Sequence, residues 1–162
     1  MSEGDAGAQA PVRIALVGCG RISRNHFDAI AKIDELQLVA VCDTVEARAR
    51  EAGTREDVPW FTSYAKMLEH TACDIVAVCT PSGLHPQHGI LAARAGKHVV
   101  CEKPMGLSKA ECEEVLYKAL QMHRTVFGVM QNRYSPPSQW IKSVIDEKRL
   151  GGIFMVQVNC YW

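Results

Sequence analysis

Short apolar runs at residues 12–17, 38–42, 74–79, 97–101 and 125–130 alternate with segments of helical periodicity, and this alternation constrains the fold more than any other feature. Each run is continuous and rich in Val and Ile, as strands are when a parallel sheet buries both of their faces. Helical patterns fill the intervals at residues 22–33, 44–52, 63–70, 86–95 and 108–123, and a weak extra strand is expected at Trp60–Phe61. Parallel strands joined through helices need right-handed crossovers, which gives an α/β, doubly wound parallel sheet. Local signals agree. Ser108-Lys109-Ala110-Glu111 is a capping box, and Gly96 stands where a helix C-cap belongs.

Beyond Met130 the pattern changes. Residues 132–137 (Asn-Arg-Tyr-Ser-Pro-Pro) read as a turn, residues 139–148 as a helix with Trp140, Val144 and Ile145 on one face, and residues 153–162 as a period-2 strand. The expected organisation is a disordered leader at 1–11, a dinucleotide-binding domain at 12–130, and at 131–162 a linking helix and first strand of an incomplete mixed or antiparallel sheet domain.

Composition excludes some classes of function. The 18 basic residues balance the 18 acidic ones, whereas a nucleic-acid binder carries a basic excess. No apolar run approaches the ~18 residues of a membrane span, and the first residues show neither a basic region nor an apolar core of a signal peptide. Seven cysteines without a Cys-x-x-Cys pair, set mostly in apolar runs, read as reduced, buried small hydrophobes of a cytoplasmic protein.

Gly18-Cys19-Gly20-Arg21-Ile22-Ser23 lies between the first strand and the first helix. There the first glycine permits a tight turn and the second lets a phosphate approach the backbone, while Ser23 replaces the third glycine of the usual pattern. Alone, such a pattern is equally an ordinary tight turn. Its context favours a dinucleotide site, because Asp43 stands at the end of the next strand, where a carboxylate accepts hydrogen bonds from ribose hydroxyls and repels a 2′-phosphate. NAD is therefore expected over NADP, although Arg48 and Arg50 on the following helix leave room for a phosphate contact.

Two further segments follow strand ends on the carboxyl edge of the sheet, where ligands bind in open α/β folds. The first is Thr80-Pro81-Ser82-Gly83-Leu84-His85, which reads equally as a plain loop. In it His85 and His88 form a His-x-x-His without a third ligand, so they are expected to be a loop and a helix-surface histidine rather than a metal site. The second is Glu102-Lys103-Pro104. A lysine facing the crevice beside a cationic nicotinamide would give up its proton more readily and suit proton transfer. Pro104 restricts Lys103 to extended geometry, and a cis Lys103–Pro104 bond would aim the side chain inward. The other reading is a solvent-facing loop lysine.

The segments 17–23, 80–82 and 96–104 resemble those of the glucose-fructose oxidoreductase, inositol dehydrogenase and rhizopine catabolism family (Gfo/Idh/MocA). His26, Phe27, and the segments 82–86, 131–134 and 152–162 resemble its branch that oxidises UDP-N-acetylglucosaminuronic acid at C3 in surface polysaccharide biosynthesis. The resemblance implies a Rossmann domain, NAD as cofactor, a small-molecule nucleotide-sugar substrate, no nucleic-acid or membrane partner, and a homo-oligomer of the full-length protein. It places Gly18, Gly20, Arg21 and Ile22 at the pyrophosphate, Asp43 at the adenosine ribose, and Thr80, Ser82 and His85 at the nicotinamide half. It places Glu102 beside the nicotinamide ribose, makes Lys103 the catalytic or substrate-orienting lysine, and brings Asn132 and Arg133 to the crevice. The family's remaining proton-transfer residues lie beyond Trp162. Another sugar or cyclitol dehydrogenase of the family, or a non-catalytic NAD-binding fragment, are the alternative readings.

Overall fold

The computed structural model describes residues 10–159. Six strands, β1 (Val12–Val17), β2 (Leu36–Cys42), β3 (Trp60–Phe61), β4 (Ile75–Val78), β5 (His98–Cys101) and β6 (Val126–Gly128), form one sheet in the order 3-2-1-4-5-6. All five pairings are parallel, so this is the expected doubly wound Rossmann sheet. The order reverses between β1 and β4, and a crevice opens beyond their carboxyl ends.

The strands are apolar on both faces because each face carries its own helices. Ile14 and Leu16 point to one side, where they pack with Phe27 and Ile30 of α1 (Ser23–Ile30) and Ala52 of α2 (Glu46–Glu56). Ala15 and Val17 point to the other, joining Met67 of α3 (Tyr64–His70) and Ala92 of α4 (His85–Arg94). Leu16, Val41, Val76 and Val99 are fully buried. Truncating Leu16 to alanine would cost about 3 kcal/mol, the usual penalty for an unfilled core site.

Helix α5 (Lys109–Gln121) starts where its capping box predicts: Ser108 Oγ accepts from the Glu111 N–H, and Glu111 returns a bond to the Ser108 N–H. At the amino edge of the sheet the Arg13 guanidinium grips the Asp74 carboxylate at 2.9 and 3.1 Å, joining β1 to the residue before β4. This pairing holds the Asp74 carboxyl down at about 2.

The chain divides after Val129 into two units. The second holds a 3-10 turn at Gln131–Tyr134 and helix α6 (Pro136–Asp146). Two sequence expectations are corrected here. Pro136 and Pro137 open a helix instead of ending a turn, because the first helical turn needs no N–H donor. The expected strand at 153–162 is irregular over 153–159, its side chains exposed, and 160–162 lie outside the described residues. Alternation alone does not make a strand; a hydrogen-bonding neighbour is needed, and none is present among the described residues.

Candidate functional site

Three strand ends converge on the crevice of the first unit. After β1 the chain turns at Gly18, whose φ is +95° and whose N–H donates to the Cys42 carbonyl at 2.7 Å. A β-carbon at Gly18 would lie 2.6 Å from the backbone carbon of Cys79, so only glycine lets the turn pass this close to the end of β4. Gly20 is the opposite case. A β-carbon there would meet nothing within 4 Å, so the backbone faces open space.

Ser23, in place of a third glycine, is buried, and its hydroxyl donates to the Gly20 carbonyl at 2.6 Å. That bond clamps the turn onto the first residue of α1. The helix has no side-chain N-cap, and the amides of Gly20, Arg21 and Ile22 form no hydrogen bond among the described residues. Open space, free amides and a helix N-terminus together make a cradle for an anionic group.

Asp43 is buried just beyond β2, and both its oxygens are already engaged. Oδ2 accepts from the Cys19 N–H at 2.9 Å and Oδ1 from the Val45 N–H at 2.8 Å. Each carboxylate oxygen has a second lone pair, so the residue braces the glycine turn and still has acceptor capacity for ribose hydroxyls. Burial first, and the facing Asp43 carboxylate second, push the Cys19 thiol up to about 12. Cys19 is half-buried, whereas Cys42, Cys73, Cys79 and Cys101 are buried free thiols.

Two cavities flank the turn. One of about 510 Å³ lies along α1 and α2, where Arg21, Arg24, Arg48 and Arg55 surround the cradle. The other, about 170 Å³, lies between Gly18, Asp43, Tyr64 and Thr80. In its wall the Tyr64 hydroxyl donates to the His88 carbonyl at 3.0 Å, and Thr80 Oγ1 bonds His88 Nδ1 at 3.0 Å. Burial, then the neighbouring His85, hold His88 below its ordinary range.

His85 corrects the sequence expectation of a loop histidine. It is the first residue of α4 and only 2% exposed, with Nε2 2.6 Å from the Thr80 carbonyl and Nδ1 2.7 Å from the Pro104 carbonyl. With both ring nitrogens against backbone, it holds two crevice loops together rather than offering an atom to a ligand. His88 is partly buried in the cavity wall rather than on the helix surface.

The backbone continues β5 one residue further, the Glu102 N–H donating to the Val78 carbonyl at 3.0 Å. Glu102 is 6% exposed, Lys103 is exposed, and the Lys103–Pro104 peptide is cis. Glu102 Oε1 lies 2.8 Å from His26 Nε2 of α1, and Oε2 accepts the Lys103 N–H at 3.2 Å. Sequence reasoning gave His26 no chemical role; helical periodicity places it on α1 but does not reveal a partner 76 residues away.

The structure thus gathers Gly18, Gly20, Arg21, Ile22, Asp43, Thr80, Ser82, Glu102 and Lys103 on the carboxyl edge of one sheet. Asn132 and Arg133 belong to the second unit, where they line a shallow surface cavity with Ser138 and Lys142.

A cradle at the helix N-terminus with a carboxylate at the end of β2 is the geometry of a dinucleotide site. The oxidoreductase family with an NAD-binding Rossmann fold, GFO_IDH_MocA, matches residues 12–129. The chain belongs to this family. As a Gfo/Idh/MocA protein it is similar to the WlbA dehydrogenase from Bordetella pertussis, solved in complex with NADH and UDP-GlcNAcA. The two share 38% identity and a TM-score of 0.84, over 87% of this chain and 43% of that one. The corresponding WlbA from Chromobacterium violaceum, also solved with NADH and UDP-GlcNAcA, gives 39% identity and a TM-score of 0.86, over 93% and 44%. Among curated relatives, myo-inositol 2-dehydrogenase of Thermotoga maritima is 28% identical over 149 residues, covering 91% of this chain and 45% of the relative. The chain spans less than half the length of these family members. Among the described residues no helix is long and apolar enough to cross a membrane.

Proposed function

We propose that the complete protein is an NAD-dependent dehydrogenase that oxidises C3 of a UDP-sugar uronate of the UDP-N-acetylglucosaminuronate type, in biosynthesis of a surface polysaccharide sugar. The observation that carries this reading is the similarity to two WlbA dehydrogenases, at 38% and 39% identity, against 28% for the inositol enzyme. The 28% relative favours a second reading, a cyclitol dehydrogenase built on the same first domain.

In this reading Gly18 and Gly20 let the pyrophosphate approach, and the amides of Arg21 and Ile22 at the start of α1 receive its charge. Asp43 accepts from the adenosine ribose. Thr80 and Ser82 line the nicotinamide half, which His85 supports from behind by tying Thr80 to Pro104. Glu102 accepts from the nicotinamide ribose. The bound nicotinamide supplies the two-electron acceptor. Lys103, exposed at the crevice edge, takes the proton of the C3 hydroxyl as the carbonyl forms, with a histidine of the later sequence as the alternative base. Arg133 offers a planar guanidinium fork suited to an anionic group. A homo-oligomer working in the cytoplasm completes the reading.

The test is a parallel assay of the complete protein with NAD and UDP-GlcNAcA, myo-inositol or glucose, reading NADH absorbance. Turnover of UDP-GlcNAcA alone supports the proposal, whereas preferential turnover of myo-inositol overturns it in favour of the second reading.

A further inference from the structure

We propose that His26 is a positioning residue for the nicotinamide end of the cofactor site, acting only through the Glu102 carboxylate; the inference rests on the reading of Glu102 as a cofactor ligand. The side chains are 16% and 8% exposed, and their contact of 2.8 Å joins α1 to the end of β5. A carboxylate oxygen only accepts, so His26 Nε2 donates the hydrogen. The other oxygen takes the Lys103 N–H, so the carboxylate is fixed at two points and its plane is set by one side chain and one peptide. Among the described residues His26 is the only ionisable side chain paired with Glu102. The Cys79 and Cys101 thiols feel the carboxylate as like charge, which adds to burial in raising both.

This arrangement has a consequence for binding. The pyrophosphate cradle leads directly into helix α1, which carries His26 one turn beyond the N-cap Ile22, so one helix ties the cradle to Glu102. A carboxylate this buried, deprived of its one side-chain donor, turns toward any remaining donor and loses its aim at a ribose hydroxyl. The other account of the pair is a simple tether of α1 to β5, contributing stability and nothing more.

A double-mutant cycle on the 162-residue chain separates the two, with NADH and ADP, which lacks the nicotinamide ribose, as probes and thermal melts as the control for folding. His26→Ala should weaken NADH binding about tenfold while leaving ADP affinity within about twofold. His26→Gln, whose amide can still donate to Glu102, should recover most of the loss and keeps the test informative if the alanine variant folds poorly. In a Glu102→Ala background His26→Ala should have no further effect on NADH. If Glu102→Ala itself leaves NADH affinity unchanged, the reading of Glu102 fails and the proposal with it. If Glu102→Ala weakens NADH but His26→Ala does not, or adds independently to it, His26 is a tether and only the inference is overturned.

Discussion

An added β-carbon on Gly18 would sit 2.6 Å from the backbone carbon of Cys79, closer than real side-chain carbons approach. The glycine turn and the end of β4 are therefore packed backbone against backbone. Gly18→Ala must also adopt a φ of +95°, which alanine resists. It should destabilise the fold by about 3 kcal/mol and abolish NADH binding. Gly20→Ala should melt near the wild-type temperature yet bind NADH at least about tenfold more weakly, because its methyl group enters space left for the phosphates. Equal stability of the two variants would contradict this division of labour.

Asp43 is expected to have two separable roles. Asp43→Asn keeps one acceptor oxygen but sets an amide donor against a backbone N–H, losing one of the bonds to Cys19 and Val45. The expected cost is about 1–2 kcal/mol in a urea melt. The same variant should narrow the preference for NADH over NADPH by removing the charge that repels a 2′-phosphate, with Arg48 close by on the cavity wall.

The Arg13–Asp74 pair makes a pH prediction of defined sign. The folded-state pKa of Asp74 is depressed from 3.8 to about 2, so its contribution is complete above about pH 4 and is lost as pH falls toward 2. Asp74→Asn should be less stable than wild type at pH 7, and the two urea midpoints should converge as pH falls from 4 to 2. Both side chains are about two-fifths exposed, so the difference at pH 7 should be small and should shrink in high salt. A gap that widens in acid would contradict the assignment.

Thiol chemistry tests the burial of the sheet. Cys19 and Cys42, pushed up to about 12 and about 11 by burial and Asp43, should resist iodoacetamide at pH 8 in the folded chain and react once it is unfolded in urea. Mass spectrometry reads each site. Rapid labelling of Cys42 in the folded chain would show that the end of β2 is more open than described.

The sheet was legible because continuous Val/Ile runs have one good solution when they alternate with helices, and β1 and the two-residue β3 fall where the residues place them. Helix α5 was legible from its capping box. What escaped was tertiary in origin. Nothing local marks His85 as buried, since its partners, the carbonyls of Thr80 and Pro104, meet only when two loops close. His26 is the same case, with its partner on another strand. The segment 153–159 failed for the converse reason: its alternation is a local signal, while a strand is a pairing.

The central claim is that this chain holds a dinucleotide with the ribose choice made by Asp43, and the most direct test is a fluorescence titration of the 162-residue chain with NADH and, separately, NADPH. The account predicts saturable binding of NADH, at least about tenfold tighter than NADPH, and a preference that narrows in Asp43→Asn. Absence of binding to either nucleotide by a chain shown to be folded by circular dichroism, or a preference for NADPH, would contradict it.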